Sequence, residues 1–127
     1  MKITNINSPD GPSASGGYSQ GCLAEKPNRI LYISGQIPVD ADGAVPKAFD
    51  DQARLAWKNI EHQLVAAGMG LENIVKHTTY LCSREHRAAN SRIRQEVLGD
   101  NAPALTVIVA EIYDEAWLLE IEAVAIA

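Results

Sequence analysis

Long hydrophobic runs are missing from this sequence. No apolar stretch approaches the ~20 residues a membrane-spanning helix requires, and no basic segment leads into an apolar one at the N-terminus. The chain therefore reads as cytoplasmic, with no membrane partner. Cysteine is scarce as well: Cys22 and Cys82 lie far apart, without CxxC spacing, and read as reduced thiols. The three histidines, His62, His77 and His86, form no compact ligand pattern with them, which argues against zinc, and nothing calls for another cofactor. Positive charge is in deficit, with 11 basic against 16 acidic residues, a net charge of −5 and a pI near 5.1. Such a chain is not built around a phosphate backbone, so a nucleic acid is not its expected partner.

What is present is an ordinary globular composition, 46% hydrophobic and 21% charged. With no repeat, linker or low-complexity tract, residues 1–127 read as a single domain large enough to bury a core. Lys2 to Asn7 is a weak strand at an edge, and the Pro- and Gly-rich stretch from Ser8 to Gly17 is a loop. Tyr18 to Ala24 and Ile30 to Ile37 read as strands joined in a hairpin by Glu25-Lys26-Pro27-Asn28-Arg29. Ala53, Ala56, Trp57, Ile60, Leu64 and Ala67 recur at three- and four-residue steps and predict a helix from Ala48 to Ala67, with Trp57 as core. Gly68 and Gly70 stop it. A strand over Ile74 to Cys82 and a more polar helix over Arg84 to Leu98 follow, the helix ended by Gly99.

Two apolar segments close the chain. Pro103 to Ala110 and Leu118 to Val124 are rich in β-branched residues and read as buried strands forming a second hairpin. Alternation along the last strand puts Leu118, Glu120, Glu122, Val124 and Ile126 on one face. Each acid must therefore be solvated, paired or held in a pocket, because an unpaired buried carboxylate is costly. An edge position would leave both wet. Glu120, between Leu119 and Ile121, is the better candidate for proton transfer.

The order β-β-β-α-β-α-β-β predicts an α+β fold with two helices on one face of a mixed sheet. Val107, Val109, Leu118 and Val124 would then need cover on the other face. A second copy of the chain supplies it most simply, as a cyclic oligomer.

No serine-histidine-acid arrangement, phosphate-binding glycine loop or metal motif occurs. Small clusters remain: Gly17-Tyr18-Ser19-Gln20; Ile33-Ser34-Gly35-Gln36-Ile37-Pro38; Asp51-Gln52-Ala53-Arg54 with Asn59; Ala66-Ala67-Gly68; and Leu119-Glu120-Ile121-Glu122-Ala123. In this order and at this spacing they resemble the RidA/YjgF family of reactive-intermediate deaminases, across nearly the whole chain. The resemblance implies a chorismate-mutase-like fold and a homotrimer with clefts between subunits that bind a small molecule. It implies hydrolysis of enamines and imines to 2-oxo acids and ammonia. Carried over residue by residue, the cleft is lined by Tyr18, Ser34, Gly35, Thr106, Val107 and Glu120, with Leu105 at its base and Glu120 moving the proton.

One departure is decisive. Deaminating members carry an arginine two residues after the proline that opens the penultimate strand, where it pairs with the substrate carboxylate. Here Pro103 is followed by Ala104 and Leu105, and leucine cannot make that charge-assisted pair. Val107 stands where many have cysteine, and Arg87 where the family has an aromatic residue. Arg87 is the candidate replacement anchor, whereas Arg84, Arg92 and Arg94 read as solvent-facing charges on a polar helix. The expectation is a divergent imine or enamine hydrolase with an atypical substrate. The alternatives are a non-catalytic small-molecule binding or sensing trimer and, with less support in an acidic chain, an endoribonuclease.

Overall fold

A computed structural model describes all residues, 1–127. The elements follow the expected order: β1 (Lys2–Ile6), β2 (Gly21–Glu25), β3 (Ile30–Gln36), α1 (Phe49–Ala66), β4 (Ile74–Leu81), α2 (Arg87–Leu98), β5 (Ala104–Val109) and β6 (Leu119–Ile126). Single 3-10 turns at Leu71–Asn73 and Arg84–His86 precede β4 and α2. No helix is long and apolar enough to cross a membrane.

Strands β3-β6-β4-β5 form a mixed four-stranded sheet, with only the β4–β5 pair parallel, while β1 and β2 pair separately as an antiparallel ribbon. Both expected hairpins are therefore absent. β2 turns back on β1, with Lys2 opposite Glu25, and β3 pairs with β6 instead. Chain reversal at Lys26, a non-glycine residue at φ 53°, delivers Asn28 and Arg29, whose N–H groups both donate to the Ala127 carbonyl at 2.8 Å. At the other end β6 inserts between β3 and β4, which separates it from β5. β6 is thus an interior strand, not an edge, and β5 takes the edge.

α1 and α2 cover one face of the sheet. Phe49, Gln52, Ala53, Ala56, Trp57, Ile60 and Leu64 of α1 are buried against Ile33, Ile121, Ala123 and their neighbours, so Trp57 is core as expected. Burying each large side chain of this stripe contributes about 2 kcal/mol. Gly68, at φ +72°, ends α1 in the left-handed conformation that glycine adopts freely. Arg54 with Glu96 and Arg92 with Asp50 clamp the outer surfaces of the two helices together.

Side-chain polarity brings two corrections. The registers His77↔Leu105 and Thr79↔Val107 place Leu105, Val107 and, two residues on, Val109 on the helix side of the sheet; only Val124 of the four covered apolar residues belongs to the open face, and Leu118 packs against the core. β5 is not a buried strand either: Val107 and Val109, on the helix side, are 38% and 44% exposed, and Ile108, on the open face, 46%, as befits a strand at the sheet edge. Arg94 is the second correction. It is only 5% exposed, inside the core and not on a solvated face.

Candidate active site

The sequence-predicted residues fall on two sides of the sheet. On the open face Glu120, Tyr80 and Ile108 form one row across β6, β4 and β5, and Glu122, Thr78 and Thr106 the next. Glu120 is half-buried and reaches over Gly35 of β3, where an added β-carbon would overlap its carboxylate. Glycine at this point makes the close approach possible. The Glu120 carboxylate has no hydrogen-bond or ion-pair partner within the chain, unlike Glu122, which accepts a 2.5 Å hydrogen bond from the Tyr80 hydroxyl. That bond raises the Tyr80 pKa, because it favours the protonated phenol, and it ties Glu122 to the sheet.

Two shallow hollows open on this face. One, about 400 Å³, is lined by Glu120, Glu122, Tyr80 and the Ala110–Tyr113 connection. The other, about 410 Å³, is lined by Tyr32, Ser34, Lys76, Thr78 and Glu122. Ser34 is therefore on the same face as Glu120. Thr106 accepts a 2.6 Å hydrogen bond from Lys76 Nζ across the β4–β5 seam.

The helix side holds the remaining candidates. Leu81, Arg84, Arg87, Asn90, Ser91, Val107 and Val109 surround a hollow of about 480 Å³ between α2 and the edge strand. Arg87 and Val107 thus share one wall-and-floor arrangement. Leu105 lies further back along β5, beside His77. Tyr18 belongs to the loop before β2; its neighbour Ser19 is buried, bridges to Ala104 and donates its N–H to the Pro103 carbonyl at 3.2 Å. That anchor puts Tyr18 near the start of β5. No single hollow in one chain contains both Glu120 and Arg87.

Sequence reasoning missed the buried polar groups behind this surface. Arg94 Nη2 donates to the Gly16 carbonyl, and its Nε has no partner. Its guanidinium faces Tyr18 and His77, so it braces the Gly16-Gly17 loop from below. His77, 1% exposed, stands edge-on to Trp57 at 5.1 Å between ring centroids, with neither nitrogen hydrogen-bonded. Burial first, and then the Arg94 and Lys76 charges, lower its pKa to about 3. One signal of Arg94 was available: Asn90, Arg94 and Leu98 form an i, i+4, i+8 row beside Ile93, the stripe that the helix buries.

The chain is similar to several known proteins. The family model described as Endoribonuclease L-PSP matches residues 8–127. The human 2-iminobutanoate/2-iminopropanoate deaminase is 33% identical over 123 residues, 95% of this chain and 88% of that protein. The mitochondrial protein mmf1 of Schizosaccharomyces pombe is 35% identical over 126 residues, 97% of this chain and 75% of that one. Among solved structures, the Rid-family protein YyfB of Yersinia pestis superposes with a TM-score of 0.87 over 100% of both chains at 26% identity. TdcF of E. coli, solved with bound serine, gives 0.75 over 98% of each at 28% identity. The sequence clusters, the two-helix mixed-sheet fold and these matches over nearly full length agree, and the chain belongs to the Endoribonuclease L-PSP family, that of the RidA/YjgF proteins.

Proposed function

We propose that the protein hydrolyses imines and enamines derived from amino acids, in a cleft formed between two copies of the chain within a homotrimer. The observation that carries this reading is the Glu120 carboxylate, seated on Gly35 in the middle of the sheet with nothing in its own chain to bind. A carboxylate placed so is available to a water molecule. In the proposed step Glu120 takes a proton from water as the oxygen attacks the imine carbon. That proton passes to the nitrogen to give a carbinolamine. Glu120 then moves the hydroxyl proton to the nitrogen as the C=O bond forms and the C–N bond breaks, and a 2-oxo product and ammonia leave. The names of the deaminase relatives support the reaction class. The separation of Glu120 from the Arg87 hollow by the thickness of the sheet supports the second copy: β5 is an exposed edge, and the open face carries Tyr32 at 75% exposure. On this reading Tyr18, Ser34, Gly35, Thr106 and Val107 line the cleft, Leu105 leaves its base uncharged, and Arg87 is the carboxylate anchor.

An endoribonuclease fits the surface less well. Glu111, Glu120 and Glu122 crowd the same hollow and would repel a phosphate backbone.

The test is ammonia release from freshly generated imines by wild type, Glu120→Gln and Gly35→Ala. Both substitutions are expected to lower kcat about 100-fold or more, with little change in melting temperature, since the displaced Glu120 side chain is flexible at its end. No wild-type rate above buffer, together with tight binding of a 2-oxo acid, would replace the hydrolase reading with that of a binding or sensing trimer.

A further inference from the structure

We infer that the hollow between α2 and β5 holds a doubly anionic ligand, the imine or 2-oxo form of an amino dicarboxylic acid, through Arg84 and Arg87. The inference rests on the hydrolase reading for the chemistry but not for the binding site.

The sequence has six arginines. Four are engaged within the chain: Arg29 with the Ala67 carbonyl, Arg54 with Glu96, Arg92 with Asp50, and Arg94 with the Gly16 carbonyl. Arg84 and Arg87 alone among them have no hydrogen bond or ion pair to their side chains, and both line this one hollow. No acid lines it with them. Glu85, between them in sequence, places its carboxylate 3.5 Å from His86 Nε2 and outside the hollow.

Two guanidiniums three residues apart repel each other, a small cost in the absence of an anion. A monocarboxylate would satisfy one and leave the other. A dicarboxylate gives each a planar, two-oxygen partner, the geometry that a guanidinium matches best.

The rest of the lining agrees. Asn90 is 4% exposed, turns toward the hollow and has no hydrogen bond from its side-chain amide within the chain, so its donors and acceptor are free for a ligand. Leu81, Val107 and Val109 make an apolar floor suited to the methylene groups between two carboxylates. With Leu105 uncharged at the base of the cleft, Arg84 and Arg87 become the only cations available to the substrate on this side. Arg94 is excluded because it is buried and does not line the hollow.

The experiment is titration calorimetry on the full chain with 2-oxoglutarate, 2-oxobutanoate and inorganic phosphate, paired with turnover of the imines of glutamate and 2-aminobutyrate. 2-Oxoglutarate is expected to bind at least tenfold more tightly than 2-oxobutanoate. Arg84→Gln and Arg87→Gln should each remove about tenfold of that affinity, while Arg92→Gln, on the same helix but paired with Asp50, should change nothing. Equal affinity for the two oxo acids, tighter binding of phosphate, or indifference to the Arg84 and Arg87 substitutions overturns the inference. The two readings fail differently. Selective binding of 2-oxoglutarate without turnover of either imine leaves the anion site and removes the hydrolase. Equal turnover and equal binding of both classes leaves the hydrolase and removes the site.

Discussion

His77 is a single residue whose burial the sequence does not reveal. It lies on a β-strand rich in threonine, and strand alternation carries it to the helix side, beside Trp57 and within reach of the Arg94 charge. Nothing local marks this, because the enclosing groups come from α1 and α2. The energetic consequence can be measured. An ordinary histidine takes up a proton near 6.5, whereas His77 does so at about 3, so between those values the unfolded chain binds a proton that the folded chain refuses. Stability must therefore fall as pH drops below 6.5, by about 1.4 kcal/mol per unit from this group. Denaturation midpoints in urea between pH 7 and pH 5 should show wild type losing about 2 kcal/mol more than His77→Leu. Identical pH slopes for the two proteins would mean that His77 is hydrated and titrates normally. Arg94 reads as solvent-facing for a related reason: a cation in a polar helix looks solvated until the packing direction of the helix is known.

At the level of elements, the sequence was legible where signals are local. Helix stripes, their glycine stops and the order of strands and helices all rest on spacing within one segment, and all appear in the structure. Strand pairing was not legible, because the partner of a strand is chosen by packing across the whole chain; β3 and β6, nearly 90 residues apart, meet while β2 and β3 do not. Buried polar fasteners mediate such long-range choices. Gln52, quoted in the sequence only as part of a cluster, is 2% exposed and donates to the Pro46 and Ala116 carbonyls at 2.7 and 2.9 Å while accepting from the Leu118 N–H at 2.8 Å. It holds the start of α1 against the connection that feeds β6, and so fixes the strand carrying Glu120. Gln52→Leu keeps the volume but strands three backbone groups, and should cost about 3 kcal/mol. A urea titration showing less than about 0.5 kcal/mol would indicate that water replaces the amide without loss.

Taken as a whole molecule, the chain divides its candidate chemistry between two faces of one sheet. The expectation that an open face needs a second copy came from counting apolar residues, and that count placed Val107 and Val109 on the wrong side. The structure supplies a better reason. Glu120 looks out from the open face and the arginine hollow from the helix side at the β5 edge, so on the proposed reading a substrate touching both lies between two chains. Complementation tests this directly. Val107→Trp fills the hollow and leaves Glu120 intact; Glu120→Gln does the reverse. Each variant alone should be nearly inactive. Co-expressed in equal amounts, random assembly of a cyclic oligomer gives about one cleft in four both an open hollow and a carboxylate, so the mixture should recover about a quarter of wild-type activity. A mixture no more active than its components, with mixed oligomers demonstrated by mass spectrometry, would place the whole reaction within one chain and remove the need for a neighbour.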